Sequence, residues 1–317
     1  MDRASYAGAA GGDTLTGIEE VEGTGFGDAL AGDAAGNLLL GMAGDDTLGG
    51  AAGGADTLDG GAGDDLVSYA GVAEEVTVDL AAPGLNAGAA AGDVLLGVER
   101  VLGGGHGDAL RAGPLAAAGL DGGGGDDSLA GGGGGDTLDG GNGDDGLSGQ
   151  GGDDGLSGGQ GADSLDGGEG SDTLIGGEGG DGLQGGGGGD RLAGGEGADT
   201  LVGGEGSDVL VGGEGGDLFV FSVLDGLVDR VRDFAPGVDR IALDGDAFGL
   251  EPGAPLPAAL FTAGPSARAE GPGPQLTYDT DAGRLSWDAD GDGPRARMVV
   301  ASFGAGVALA AGDFLIL

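Results

Sequence analysis

The chain has no cysteine and no lysine, a single histidine, a single tryptophan, and only 12 Phe, Tyr and Trp in 317 residues. Without cysteine there is neither a disulfide framework nor a thiolate metal site. With only His106, a zinc helix of the HExxH kind is excluded, as is any imidazole cluster. Twelve aromatic residues are too few for a conventional core in a chain of this length. All 11 basic residues are arginine, set against 55 acids, for a net charge of -44. That balance argues against nucleic acid or an anionic membrane as partner and for cations. No apolar run is long enough to span a bilayer. The opening MDRASYAGAAGGD lacks a charged region followed by an apolar one, so export, if it occurs, is expected to use no N-terminal signal peptide. There is no GxSxG elbow and no Cys/His pair, and the expectation is a chain without catalysis of its own.

What the chain has in excess is glycine, 86 residues of it. Glycine with high net charge is ordinarily the mark of disorder, and only periodicity argues otherwise. From residue 122 to 220 the chain repeats a nine-residue phrase eleven times without a gap, as in GGEGSDTLI and GGEGGDGLQ. The sixth position is always aspartate: Asp127, Asp136, Asp145, Asp154, Asp163, Asp172, Asp181, Asp190, Asp199, Asp208 and Asp217. The eighth is leucine ten times and then Phe219. A linker has no reason to keep that register, so disorder is left as a description of the chain without its ligand.

Six glycine-rich residues turn sharply, and three residues around one apolar side chain make a very short strand. Two phrases then form one coil of a flattened solenoid, with leucines of facing sheets meeting inside and stacking every eighteen residues. The aspartates fall into two ladders, one on each edge. Asp127, Asp145, Asp163, Asp181, Asp199 and Asp217 form one, and Asp136, Asp154, Asp172, Asp190 and Asp208 the other. Rungs about 4.8 Å apart repel by roughly 1 kcal/mol in water and by more at lower dielectric. The array holds 21 acids and one base, Arg191. A hard divalent cation between rungs removes the repulsion. Carboxylates and turn carbonyls suit calcium, which accepts six to eight oxygens at flexible geometry, better than magnesium. About five ions on one edge and four on the other are expected from the ladder.

A shorter array precedes this one at 41–68, with one extra residue, and supplies Asp46, Asp56 and Asp65 as weaker sites. Around it lies a duplication. SYAG at Ser5 recurs at Ser68, GDTLTGIEEVEG at Gly12 recurs as GDVLLGVERVLG at Gly92, and GFGDAL at Gly25 recurs as GHGDAL at Gly105. The strand-like VTVDL at 76–80 has no counterpart in the first copy, which reads as a chain that begins inside a module. His106, standing where the first copy has Phe26, reads as a surface or capping residue.

Beyond residue 220 the composition changes. Seven of the arginines, six of the eight phenylalanines and the tryptophan lie there. Residues 218–243 read as strands broken at Pro236-Gly237, and 251–275, which carries most of the prolines, as a loop. Residues 276–303 read as strand, tight turn at 281–283, strand, acidic turn, strand. Asp288, Asp290 and Asp292 imitate the start of an EF-hand loop, but Val299 stands where that loop needs its glutamate, so an acidic hairpin turn is the reading.

GGEGSDTLI, GGEGADTLV and GGEGSDVLV in tandem resemble the repeats-in-toxin (RTX) family of calcium-binding proteins. The resemblance implies an all-β fold, a parallel β-roll solenoid in two arrays with a C-terminal β-rich capping and secretion region. It implies that the sixth-position aspartates and turn carbonyls hold several Ca2+ ions. The parts are then an irregular module at 1–40, a short array at 41–68, a second irregular module at 69–121, the main roll at 122–220 and a C-terminal region at 221–317. That last region is similar to the C-terminal part of serralysin-like RTX proteins, and its end, DFLIL, to their uncleaved secretion signals. An extracellular protein delivered by a type I secretion apparatus is the implied setting, folding outside the cell where calcium is plentiful. The other readings are the calcium-binding part of a longer secreted protease, lipase or epimerase, a surface or biofilm adhesin segment, and a plain calcium-stabilised spacer.

Overall fold

The computed structural model describes residues 3–5, 17, 19–50, 53–114, 116–253, 255–291, 297–304 and 306–317. Most of the first copy of the duplication before residue 19, and Asp292 of the acidic turn, lie outside the described residues. The protein is nearly all β and divides into two compact units, Met1–Gln160 and Gly161–Leu317.

In the first unit each apolar residue of the D-x-U pattern starts or centres a strand, and successive strands pair in parallel with the strand one coil on. Leu120, Leu138 and Leu156 align in register along one sheet, and Leu110, Leu129 and Leu147 along another. These side chains are buried, as are Leu48, Leu58, Val67 and Val101, in the columns the eighteen-residue stacking requires. A third sheet, built from Glu20–Glu22, Leu38–Ala43, Thr57–Ala62 and Val94–Leu96, carries the less regular N-terminal coils. The irregular modules thus form parallel strands of the same kind, and VTVDL contributes the strand Val76–Asp79. Tyr69, at the start of the inserted piece, is fully buried against Gly50, where a Cβ would collide with its ring.

In the second unit the nonapeptides alternate between two parallel sheets. Thr173–Glu178, Arg191–Glu196 and Val209–Glu214 follow one another in one sheet. Ser164–Glu169, Gly182–Gly188, Thr200–Gly206 and Leu218–Phe221 follow one another in the other. Both sheets run on into the C-terminal segment. Asp229–Val231 pairs beside Val209–Glu214, Arg240–Leu243 beside Leu218–Phe221, and Phe314–Ile316 beside Arg240–Leu243. The expected double hairpin is present: Gln275–Asp279, Arg284–Asp288 and Met298–Phe303 are antiparallel neighbours. Much of 251–275 is irregular as expected, apart from a short 3-10 turn and the strand Phe261–Gly264.

The strands are longer than the three residues expected. In the array most run six or seven, through x-U-x-G-G-x, so the first two glycines belong to the strand and pair with those one coil on, as Gly168 does with Gly186. The turn is correspondingly tighter. Its glycines at the second and fourth positions have positive φ, for example Gly186 at 105° and Gly188 at 132°, conformations that cost a side-chain-bearing residue but not glycine.

Candidate metal sites

The first glycine of each phrase explains where the aspartate goes. A Cβ at Gly176 would collide with Asp181 Oδ2, five residues on, and with the Gly194 carbonyl oxygen one coil away. Gly185 stands in the same relation to Asp190 Oδ2 and the Gly203 carbonyl. The missing side chain leaves room for a carboxylate oxygen and a carbonyl oxygen side by side at the edge of the roll.

The carboxylates are inside the turns rather than in water. None of Asp46, Asp56, Asp65, Asp127, Asp136, Asp145, Asp154, Asp163, Asp172, Asp181, Asp190, Asp199, Asp208 and Asp217 is more than 4% exposed. Each ladder is bonded along its length. The main-chain N–H of one aspartate donates to Oδ1 of the aspartate one coil on: Asp163 to Asp181 at 2.8 Å, Asp181 to Asp199 at 2.8 Å and Asp199 to Asp217 at 3.1 Å. On the other edge Asp172 donates to Asp190 and Asp190 to Asp208, both at 2.9 Å. In the first unit Asp127 donates to Asp145 and Asp136 to Asp154, both at 2.7 Å, and Asp46 to Asp65 at 2.8 Å. The edges read from the eighteen-residue spacing are therefore the ones each unit contains.

The other oxygen is different. Oδ2 of Asp46, Asp56, Asp65, Asp127, Asp136, Asp181, Asp190, Asp199 and Asp217 is buried and meets no hydrogen-bond donor among the described residues. Burying an ionised oxygen unpaired costs several kcal/mol, and the titration follows. Burial, with Asp145, Asp108 and Asp126 nearby, raises Asp127 to about 7 against the pull of the Asp108 N–H. Burial raises Asp190 to about 6, with Asp208 and Asp172 adding to it, and Asp56 to about 6, with Asp93 adding. Asp181, Asp199 and Asp217 are raised for the same first cause. Two routes relieve such an oxygen: a proton or a cation.

A hard cation fits the donors present. In the nonapeptides from 122 to 220 they are all oxygen, carboxylate beside carbonyl, with no thiolate or imidazole in the turns. Among the described residues no three acidic or histidine side chains converge on a point, so most of the coordination would come from the main chain. Flexible, carbonyl-tolerant coordination is calcium's habit rather than magnesium's.

Several rungs escaped the reading of the periodicity. Asp28, Asp93, Asp108, Asp229 and Asp239 occupy ladder positions, each joined to a neighbouring coil by a main-chain to carboxylate bond. Each keeps the aspartate two residues before an apolar core residue, as in Asp93-Val94-Leu95, but one or more of the glycine positions before it is filled by another residue. Glu99 also serves, its Oε2 accepting from the Asp65 N–H at 3.0 Å. Burial raises Asp229 to about 7, with the Asp208 carboxyl beside it. Asp288 is no rung. Its Oδ1 accepts from Gly291 N–H at 2.8 Å and closes its own turn, as the hairpin reading required.

A parallel roll with buried aspartate ladders on its edges is the architecture of a calcium-binding repeat protein. The RTX calcium-binding nonapeptide repeat matches the chain in four copies, at residues 51–71, 121–156, 148–183 and 184–219, so the chain carries RTX calcium-binding repeats over these residues. No curated protein matches it. Among solved structures it is similar to the extracellular lipase LipA from Serratia marcescens, at 16% identity and a TM-score of 0.23, over 96% of this chain and 41% of that one. The chain thus spans less than half the length of that lipase.

Proposed function

We propose that this chain is a secreted, non-catalytic calcium-binding protein whose roll folds as calcium binds, with the sixth-position aspartates as the carboxylate ligands. The observation that carries the reading is the set of buried Oδ2 atoms that meet no donor among the described residues, at Asp127, Asp136, Asp181, Asp190, Asp199 and Asp217. The sixth-position aspartates and the neighbouring turn carbonyls would hold calcium, which would supply the positive charge these oxygens lack. The chain's own residues do the rest. The Asp N–H to Oδ1 bonds hold each carboxylate in one orientation, the first glycine leaves space for it, and the leucine columns fix the spacing of coils.

The absence of a catalytic role is inferred from where the acids are. The buried carboxylates are committed to ladder bonds. Secretion by a type I route is inferred from the C-terminal residues. Phe314 is fully buried and Ile316 nearly so in the strand that ends the chain, so a secretion apparatus would read them only before the protein folds. Low calcium inside the cell would keep the chain in that state, and ligand linkage would fold it outside.

The test is a calcium titration of metal-free protein by circular dichroism with calorimetry alongside. A cooperative gain of β signal with uptake of several ions is the expected result; a spectrum that does not change, with no uptake, would overturn the reading. For the export route, removal of residues 313–317 is expected to lower the extracellular amount, and undiminished export would count against that part alone.

A further inference from the structure

Not every rung leaves its outer oxygen bare. We infer that four rungs, Asp93, Asp108 and Asp239 at ends of ladders together with Asp28, are metal-free positions in which the protein's own donors take the place of calcium, so that calcium binding is bounded there. The inference rests on the calcium reading above and says where it stops.

The geometry is the same in each case but for one donor. Asp108 Oδ1 accepts from the Val76 N–H at 2.7 Å, as an ordinary rung does, while Oδ2 accepts from the Gly104 N–H at 2.5 Å. Asp239 Oδ1 accepts from the Asp217 N–H at 3.1 Å and Oδ2 from the Ala235 N–H at 2.6 Å. Asp28 Oδ2 accepts from both the N–H and the hydroxyl of Thr24, at 2.6 and 2.9 Å. In all three the donor is the residue four before the aspartate. In the nonapeptides that place is held by a glycine such as Gly186, whose φ of 105° belongs to the left-handed region, and Asp190 Oδ2 meets no donor. Gly104 and Ala235 do not adopt positive φ, and their N–H turns to the carboxylate instead.

Asp93 reaches the same end by a side chain. Its Oδ1 accepts from the Asp56 N–H at 2.9 Å and its Oδ2 from the Tyr69 hydroxyl at 2.8 Å, both within the core. Asp93 is 1% exposed and Tyr69 is fully buried, so neither solvent nor an ion has a path that leaves the pair intact. A carboxylate with both oxygens satisfied gains little from a cation and would have to give up a charge-assisted hydrogen bond to accept one.

The positions make sense of the pattern. The Asn37, Asp56, Asp93 ladder ends at Asp93, the Asp108, Asp127, Asp145 ladder opens at Asp108, and the Asp199, Asp217, Asp239 ladder ends at Asp239. Asp28 and Asp108 are also the same residue of the duplicated GFGDAL and GHGDAL, so one module placed such a rung twice. Other ends are not closed this way: Asp136, which opens its ladder by accepting from the Ala118 N–H, has an Oδ2 that meets no donor among the described residues, and Asp229 accepts from the Asp208 N–H through Oδ1, so both stay with the cation sites.

The experiment counts bound calcium by equilibrium dialysis of the full chain and of four variants: Asp93→Asn, Asp108→Asn, Asp239→Asn and, as control, Asp190→Asn. Asparagine keeps an oxygen for the inner donor and loses the charge a cation needs. The three terminator variants are expected to bind as many ions as the parent, and Asp190→Asn at least one fewer. Loss of an ion in two of the three terminator variants, folded or not at saturating calcium, overturns the inference while leaving the calcium reading in place. A parent chain that binds no calcium overturns both.

Discussion

The repeat array and the C-terminal segment share sheets but are held by different forces. Between residues 163 and 217 each coil buries one leucine per sheet and two carboxylates, and nothing larger. Beyond Phe219 the core becomes aromatic. Phe219 packs on Phe234 with ring centroids 5.9 Å apart, Phe234 on Phe303 edge-on at 5.6 Å, and Phe303 on Tyr278 edge-on at 5.9 Å. Phe248 and Trp287 meet at 5.5 Å, and Phe261 and Phe314 at 5.2 Å. Such pairs bury much more apolar area than a leucine column and add about 0.5–1.5 kcal/mol each beyond it. On the proposed reading the array depends on a cation, as Asp229 does, whereas the aromatic core of the C-terminal segment packs on its own, and the change in core begins where leucine gives way to Phe219.

The largest effect should come from chelation. Removing calcium is expected to abolish hydrogen-exchange protection of the array amides while Trp287 fluorescence changes at a lower calcium concentration or less completely. If array amides and Trp287 lose order together at one calcium concentration, the two regions are one cooperative unit and the contrast fails. Next, Phe234→Ala should cost about 3–5 kcal/mol of stability at saturating calcium, read by thermal or denaturant unfolding. Leu183→Ala, at one array coil, should cost about 2–5 kcal/mol. Asp172→Ala and Asp190→Ala act on the cation instead, and the calcium midpoint is expected to rise for both.

Acid tests the same contrast more gently. Asp127, Asp190 and Asp56 have folded-state pKa values above the ordinary carboxylate value of 3.8. For a raised pKa the stabilising contribution is complete below the unfolded value and is lost as pH rises through the folded one. Metal-free protein should therefore recover β signal as pH falls from about 7 toward 4, and the calcium midpoint should rise over the same window because protons compete for Oδ2. A calcium midpoint that stays flat between those pH values would contradict the burial of these oxygens. The smallest effect is expected for Asp288→Ala. Its carboxylate closes a turn through Gly291, so the calcium midpoint should not move.

The repeat was legible because its consequences are local. The period of nine set the columns of Leu165, Leu183 and Leu201 and the edges of Asp172 and Asp190, and those are where the structure has them. Strand length was misread because a glycine pair carries no side chain to announce a strand, although its main chain pairs as well as any other. The depth of the carboxylates was missed for a related reason: the glycine that makes room for Asp181 is five residues away, and its role appears only when a Cβ is imagined there. The terminators were hardest to see. Asp56 and Asp93 are neighbouring rungs separated by an insertion, and no spacing rule links Tyr69 to either. What remained visible was D-x-U, at Asp93, Asp108 and Asp239, with the glycine pattern before it incomplete: at Asp108 only the fourth-position glycine is replaced, by His106.

The aspartate bonds all run one way. Asp163 gives its amide to Asp181, Asp181 to Asp199, Asp199 to Asp217, and none of these carboxylates points back. A stack cut before any coil therefore shows a carboxylate awaiting a donor, and one cut after it shows an amide awaiting an acceptor. The two ends are chemically unlike, one anionic and one hydrogen-bond donating, in the manner of a filament with a direction. Shortening the array from its N-terminal side should expose acceptors that water or a cation satisfies readily. Shortening it from the C-terminal side leaves an amide N–H in need of an acceptor, which at the Asp93 end is the Ala90 carbonyl oxygen.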